Sequence, residues 1–247
     1  MFTVEMIPLS KAKQKWIRSL HLKKNRDAEM LFLVEGEKSV LEGLTIYPEG
    51  VHTIIVKNTD THLIPQKFHD QVFTLTESEL SSVSSLKTPN KLLAIFKRQA
   101  HFSPQVERAI VLDGVQDPGN LGTIIRLADW FGIKQIICSK DTVDCFNQKV
   151  IQASMGSLFR VQIFYTDLVD FLSTTQQKKY AALLDGAHYK QVNFEKNALL
   201  IMGNEGKGIR PDVLKTIDKP ITIPRIGEAE SLNVATATAI LLAEMSL

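Results

Sequence analysis

Short apolar runs alternate with helix-like stretches along the whole chain. In the first part MLFLV (30–34), HTIIV (52–56), QVFTL (71–75) and LLAIF (92–96) read as strands, and Lys38, Val40, Leu41 and Leu44 mark a helix between the first two. This predicts a small α/β unit over residues 1–100. KRQAHFSPQVER (97–108) is polar, has no period and contains Pro104, which makes 101–107 the candidate linker. A second alternation fills 108–247. AIVLD (109–113), QIICS (135–139), VQIFY (161–165), YAALLD (180–185), LLIMG (199–203) and ITIP (221–224) read as buried strands, with helical patterns such as Thr123 to Phe131 and Val143 to Met155 between them. The expected architecture is α/β with a mostly parallel sheet and helices on both faces. Ligands of such sheets sit in loops at the carboxyl ends of the strands.

Three loops in those positions carry unusual residues. In DPGNLGTIIRLADWFGI (117–133), Pro118 and Gly119 make a turn, Gly122 permits close approach, and Ile124, Leu127, Ala128 and Phe131 form the buried face of a helix. Free N–H groups at that helix start, with the dipole, predict an affinity for an anion such as phosphate. Asn120 and Arg126 are the polar groups left over, readable equally as a turn residue and a solvated helix side chain. MGNEGKGI (202–209) has the order G-x-x-G-x-G, which is not the dinucleotide fingerprint, and Gly208 stands where a P-loop needs Ser or Thr. NAD and ATP both lose support there. Glu205 is placed to orient backbone or ligand N–H groups. In IPRIGEAESLNVATATAILLAE (223–244) a strand ends at Pro224 and a helix is expected from near Ser231, a natural N-cap. Ala235, Thr236, Ala237, Thr238 and Ala239 then allow another backbone to come close, as a ligand floor, a subunit contact or tight internal packing would require.

Composition narrows the setting. The chain has 247 residues, 44% hydrophobic and 23% charged, the ordinary range of a globular protein. No apolar run approaches the roughly 20 residues that span a bilayer, and MFTVEMIPLS lacks a signal-peptide layout, so a cytoplasmic protein is expected. Cys138 and Cys145 are too few for a disulfide framework, and no Cys/His cluster has zinc spacing, so reduced thiols and no metal are expected. With a net charge of only +2, any nucleic-acid footprint must be local. One basic stretch qualifies. Lys11, Lys13, Lys15, Arg18, Lys23, Lys24 and Arg26 follow one another with no acidic residue, while Leu9, Ala12, Trp16, Ile17 and Leu20 recur at helical spacing. This predicts one amphipathic helix with a basic outer face.

Taken together and in this order, the three loops resemble the signature motifs of the SpoU (TrmH-like) family of RNA 2'-O-ribose methyltransferases within the SPOUT superfamily. That resemblance covers residues 108 to 247. FLVEGEKSVLE (32–42) and SSLKTPNKLLAIF (84–96) resemble the small RNA-binding domain that precedes the catalytic domain in the ribosomal-RNA branch. The resemblance implies an RNA substrate-binding domain over 1–100 and a catalytic domain over 108–247. It further implies a C-terminal trefoil knot, which the general avoidance of knots would argue against, and a homodimer with its active site near the subunit contact. S-adenosyl-L-methionine is the implied cofactor, held largely by backbone at Gly203, Ile223 and Leu232, with Leu183, Leu184, Asn204 and Gly206 beside them.

Methyl transfer from a sulfonium needs the ribose oxygen brought into line and its proton managed. By resemblance Arg126 is nearest that proton, and Asn120, Glu205, Ser231 and Asn233 complete a polar ring. Arginine is a poor base, with a reference pKa of about 12.5 or more, so clamping a phosphate that assists deprotonation is easier to defend than direct abstraction. The basic residues from Lys11 to Arg26 are expected to contact RNA phosphates. Ribosomal RNA is the expected substrate, with transfer RNA or a non-catalytic ribosome-assembly role as the alternatives. A dinucleotide-dependent oxidoreductase ranks last, because DGVQDPGNLG (113–122) lacks the fingerprint spacing.

Overall fold

The basic stretch that reads as one helix folds as two. A computed structural model describes residues 7–86, 88, 90–99, 104 and 107–245, and in it α1 (Lys11–Ser19) and α2 (Lys23–Glu29) are separated by a turn. The cause is local. Leu20 closes α1, and Arg26 Nη1 donates to the carbonyls of Leu20 (3.0 Å) and His21 (2.7 Å). Asn25 Nδ2 takes the carbonyl of Ser19 at 2.7 Å. Side chains of α2 thus satisfy carbonyls that the end of α1 leaves without helical partners. Arg26 is buried as a result, which removes it from the expected basic outer face. The expected linker 101–107 lies, apart from Pro104 and Glu107, outside the described residues.

β1 (Ile7–Pro8), β2 (Leu31–Glu35), β3 (Val51–Lys57), β4 (Val72–Leu75) and β5 (Leu92–Lys97) form a sheet in the order β1-β4-β3-β5-β2. The β1, β4 and β3 pairings are parallel, and β5 runs antiparallel to β3 and β2. Both faces are apolar. One carries Leu33, Ile55, Leu93 and Ile95 against Ile17, Leu20, Leu80 and Val83 of α1, its C-cap and α4 (Glu77–Val83). The other carries Phe32, Val34, Ile54, Val56 and Phe96 against Val40 and Leu44 of α3 (Glu37–Ile46). The two N-terminal motifs meet at Glu35, whose buried carboxylate accepts from Ser85 N (2.9 Å), Ser85 Oγ (2.6 Å) and Ser84 Oγ.

The remaining strands are β6 (Ala109–Asp113), β7 (Gln135–Ser139), β8 (Gln162–Thr166), β9 (Lys178–His188), β10 (Ala198–Gly203) and β11 (Lys219–Thr222). Every neighbouring pair in the order β11-β9-β10-β6-β7-β8 is parallel. The helices are α5 (Pro118–Trp130), α6 (Gln148–Ser154), α7 (Leu168–Thr174), α8 (Pro211–Leu214) and α9 (Val234–Met245). Val111, Ile137, Leu199 and Ile201 pack toward Leu168, Leu172 and Val213 of α7 and α8, while α9 packs on α5 and touches β10. Helices therefore cover both faces. None of the described helices is long and apolar enough to cross a membrane.

Contacts divide the chain differently from a single cut at 101–107. Residues 146–159, which contain α6, cluster with residues 1–100, and 101–145 cluster with 160–247. The reason is apolar: Phe146, Ile151, Leu158 and Phe159 join the cluster built on Phe32 and Phe96, and the Phe146 ring lies 4.7 Å from that of Phe32.

Met30 ends α2 in the left-handed region, φ 53 and ψ 40, with its side chain largely exposed. That conformation strains an L side chain and suits glycine. Met30→Gly is expected to stabilise the protein by about 0.5–1 kcal/mol after the entropy of the unfolded chain is counted, read as a raised midpoint in thermal melts.

Candidate active site

The strand order reverses between β6 and β10. These two strands are paired with Gly203 opposite Asp113, so the loops that follow them open side by side at the carboxyl edge of the sheet, where such folds form their ligand crevice. The connection 223–233 must cross the same edge, because it leaves β11 at the sheet margin and enters α9, which packs on α5.

An ion pair between a buried carboxylate and a half-exposed guanidinium braces the first two loops. The Asp113 side chain is fully buried, and its Oδ1 lies 2.6 Å from Arg210 Nη2. Its Oδ2 accepts from Arg210 N at 2.7 Å. Between those points residues 204–208 form a tight turn, with paired backbone bonds between Asn204 and Gly208. Asn204 Oδ1 accepts from Gly206 N and Lys207 N, both at 3.0 Å, while its Nδ2 donates to Gly114 O at 2.6 Å. Gly203 has no room for a side chain, since a Cβ there would lie 2.4 Å from the carbonyl carbon of Gly208.

This turn aims Glu205 at the start of α5. Its carboxylate accepts from Gln116 N (3.3 Å), Asp117 N (3.2 Å) and Asn120 Nδ2 (3.0 Å). Asp117 is the N-cap, accepting from Asn120 N at 2.8 Å. The expectation that this helix start offers free N–H groups to an anion is therefore corrected. Asp117 takes the Asn120 N–H inside the helix and Glu205 takes the two N–H groups just ahead of it, so two carboxylates already complement the dipole there. Asn120 Oδ1 in turn accepts from Asn233 Nδ2 at 2.8 Å. The third loop is thereby tied to the other two through one chain of hydrogen bonds, Asn233 to Asn120 to Glu205.

The expected cap at Ser231 is also corrected. The helix starts at Val234, and Asn233 Oδ1 takes the N–H groups of Ala235 (2.9 Å) and Thr236 (3.2 Å). Ser231 is exposed in the loop ahead of it, outside the chain of hydrogen bonds. Arg126 is exposed on α5 with no hydrogen bond or ion pair among the described residues. Asn120, Glu205 and Asn233 are thus brought into contact with one another, and Ser231 and Arg126 are not. Of the residues expected at the donor, Gly203, Asn204 and Gly206 lie on the turn after β10, and Leu183 and Leu184 lie in β9, with Leu184 O accepting from Thr222 Oγ1 at 3.1 Å. Ile223 and Leu232 flank the third loop. Leu184, Ile226 and Leu232 leave large apolar side chains in solvent on or beside these loops. No cluster able to hold a metal ion occurs among the described residues.

The basic residues are dispersed. Lys11 is 3.8 Å from Glu79, Lys23 is 2.6 Å from Asp27, and Lys13 lies 3.5 Å above the Phe73 ring. Lys15, Arg18 and Lys24 are exposed. Sequence reasoning missed Asp113, Asp117 and Arg210. Asp117 was readable, as an Asp directly ahead of Pro118 fits an N-cap followed by Pro at the first helical position. Asp113 left the weaker sign of a charge closing an apolar strand, and Arg210 left none.

Burial pushes the Glu205 carboxyl upward, but the bonds from the Asn120 side chain and from the backbone N–H groups outweigh it and hold it below its usual 4.5. A depressed carboxyl stabilises the fold above its unfolded pKa and loses that contribution as pH falls through the folded value. The stability difference between wild type and Glu205→Gln is therefore expected to stay constant near neutrality and to shrink below about pH 4.5, as followed by thermal melts across the acid range. A difference that persists in acid would mean that the charge is not what holds the loops.

The SpoU rRNA Methylase family matches residues 107–243, and the MRM3-like substrate binding domain matches residues 11–94. The 23S rRNA (guanosine(2553)-2'-O)-methyltransferase RlmP of Bacillus subtilis is 37% identical over 231 residues, 91% of this chain and 92% of the relative. Among solved structures, a protein of Porphyromonas gingivalis described as a TrmH-family RNA methyltransferase superposes with a TM-score of 0.89 at 40% identity, covering 96% of this chain and 98% of the other. An AdoMet-bound rRNA methyltransferase of Sinorhizobium meliloti superposes with a TM-score of 0.86 at 31% identity, covering 97% and 96%. The family match takes in β6, β10 and all three bonded loops, and the likeness runs through both chains nearly end to end, so this protein belongs to the SpoU rRNA methylase family.

Proposed function

We propose that this protein is an S-adenosylmethionine-dependent methyltransferase acting on a ribose 2'-hydroxyl of ribosomal RNA. The observation that carries the reading is the hydrogen-bond chain from Asn233 through Asn120 to Glu205, which holds three strand-end loops of a SpoU sheet at one crevice. The ribosomal substrate is supported by the names of the relatives, RlmP and the RlmB enzymes of Ralstonia nicotianae and Bordetella pertussis.

Positioning is the protein's main task. The bound donor supplies an activated methyl group. Gly203, Ile223 and Leu232, with Leu183, Leu184, Asn204 and Gly206, hold it through backbone groups and apolar contact. Asn120, Glu205 and Asn233 keep the loops in register, and Ser231 faces the substrate. Arg126 clamps a phosphate beside the attacking hydroxyl, and that phosphate helps remove the proton. The C-terminal loop passes through a trefoil knot, and the working form is a cytoplasmic homodimer. Residues 1–100 present the RNA, with Lys11, Lys13, Lys15, Arg18, Lys23 and Lys24 taking phosphates.

Mapping 2'-O-methyl sites in total RNA from cells with and without the gene tests the function, and an unchanged map in ribosomal RNA would overturn it. Arg126→Ala is expected to lower labelled-methyl transfer by roughly 100-fold or more, while calorimetric titration finds donor affinity nearly unchanged. Reversing Lys15, Arg18 and Lys24 to Glu together is expected to weaken RNA binding and flatten its salt dependence, with unchanged affinity removing the basic patch from the account.

A further inference from the structure

One aromatic pair on the first unit keeps part of its surface in solvent. Trp16 on α1 is partly buried against the apolar cluster of the sheet, and its ring centroid stands 5.5 Å from that of His52, tilted by 40°. His52 is the exposed residue of β3. Its Nδ1 is fixed against Thr53 Oγ1 at 2.8 Å, and the other ring nitrogen has no partner among the described residues. Two ammonium groups stand near this pair. Lys13 is held over Phe73, and Lys97 projects from the end of β5. Burial first, and then both lysines, hold the His52 imidazole below its usual 6.5, opposed by Glu29 as the acidic group acting on it. The imidazole is thus largely neutral at pH 7, a flat ring that offers a π-face.

We propose that Trp16 and His52 form a stacking site for one unpaired nucleobase, with Lys13 and Lys97 taking the phosphates on either side of it. The inference rests on the RNA-binding reading above and adds to it a specific contact. A flat π-face flanked by cations fits a nucleotide, whose base is aromatic and whose linkages are anionic, and such stacking tolerates any base. In a chain whose net charge is only +2, a local pair of cations beside an aromatic platform is the kind of footprint a single strand requires.

Trp16 and Trp130 are the only tryptophans, so Trp130→Phe leaves Trp16 as the sole indole reporter. In that background the full-length protein is titrated with a short single-stranded oligoribonucleotide of mixed sequence carrying a fluorescent end label. Label anisotropy reports binding, and indole emission reports stacking. The expected result is quenching of Trp16 that saturates together with anisotropy. His52→Ala should weaken binding by roughly tenfold with little change in salt slope, whereas Lys97→Ala should lower that slope. Trp16→Phe, read by anisotropy, should keep most of the affinity because it keeps a stacking ring. Binding without quenching, or with His52→Ala equal to wild type, overturns the stacking site and leaves the RNA reading standing. An absence of binding by anisotropy overturns the stacking site, and the 2'-O-methyl map decides the RNA reading independently.

Discussion

A carboxylate with no exposed surface at the end of a central parallel strand must be answered by a cation, and here Asp113 is answered by Arg210. The same Asp113 also takes the Arg210 backbone N–H, so the pair fixes a side chain and the course of the main chain together. The two ends of the turn after β10 are consequently pinned, one by sheet pairing and the other by charge. Everything that Glu205 does depends on that. Its three hydrogen bonds are exposed and individually modest, and they are made because the turn arrives already folded by the two side-chain roles of Asn204. Removing Arg210 would leave the buried Asp113 carboxylate uncompensated, which costs more than the pair itself contributes.

The strands were plain in the sequence because they are buried on both faces and therefore read as unbroken apolar runs. AIVLD and QIICS coincide with β6 and β7 residue for residue. Helix ends were harder. The segment from Lys11 to Arg26 keeps a helical period across its break, and nothing in periodicity shows that Arg26 turns inward to cap the preceding helix. Ser231 and Asn233 are both good caps, and the choice of Asn233 follows from its second bond to Asn120, a contact with a residue more than a hundred positions away. In the site, the residue types and their glycine spacing were legible, whereas the bonds that join the loops are products of strand order. The family resemblance supplied what spacing alone could not, and residues 107–243 bear it out.

The anion expected at the start of α5 illustrates a general point about such helices. A dipole and a row of N–H groups invite negative charge, but the sequence itself supplies two carboxylates, Asp117 from within and Glu205 from the neighbouring loop. The helix terminus therefore serves as an attachment point between segments of the same chain.

The excursion of residues 146–159 into the first unit bears on how the chain is made. Synthesis proceeds from the amino terminus, and the sheet face bearing Phe32 and Phe96 lacks Phe146, Ile151 and Phe159 until β6, α5 and β7 have already emerged. The first half must wait, partly uncovered, for a piece of the second. Cutting the chain between the halves would strand that greasy face in water.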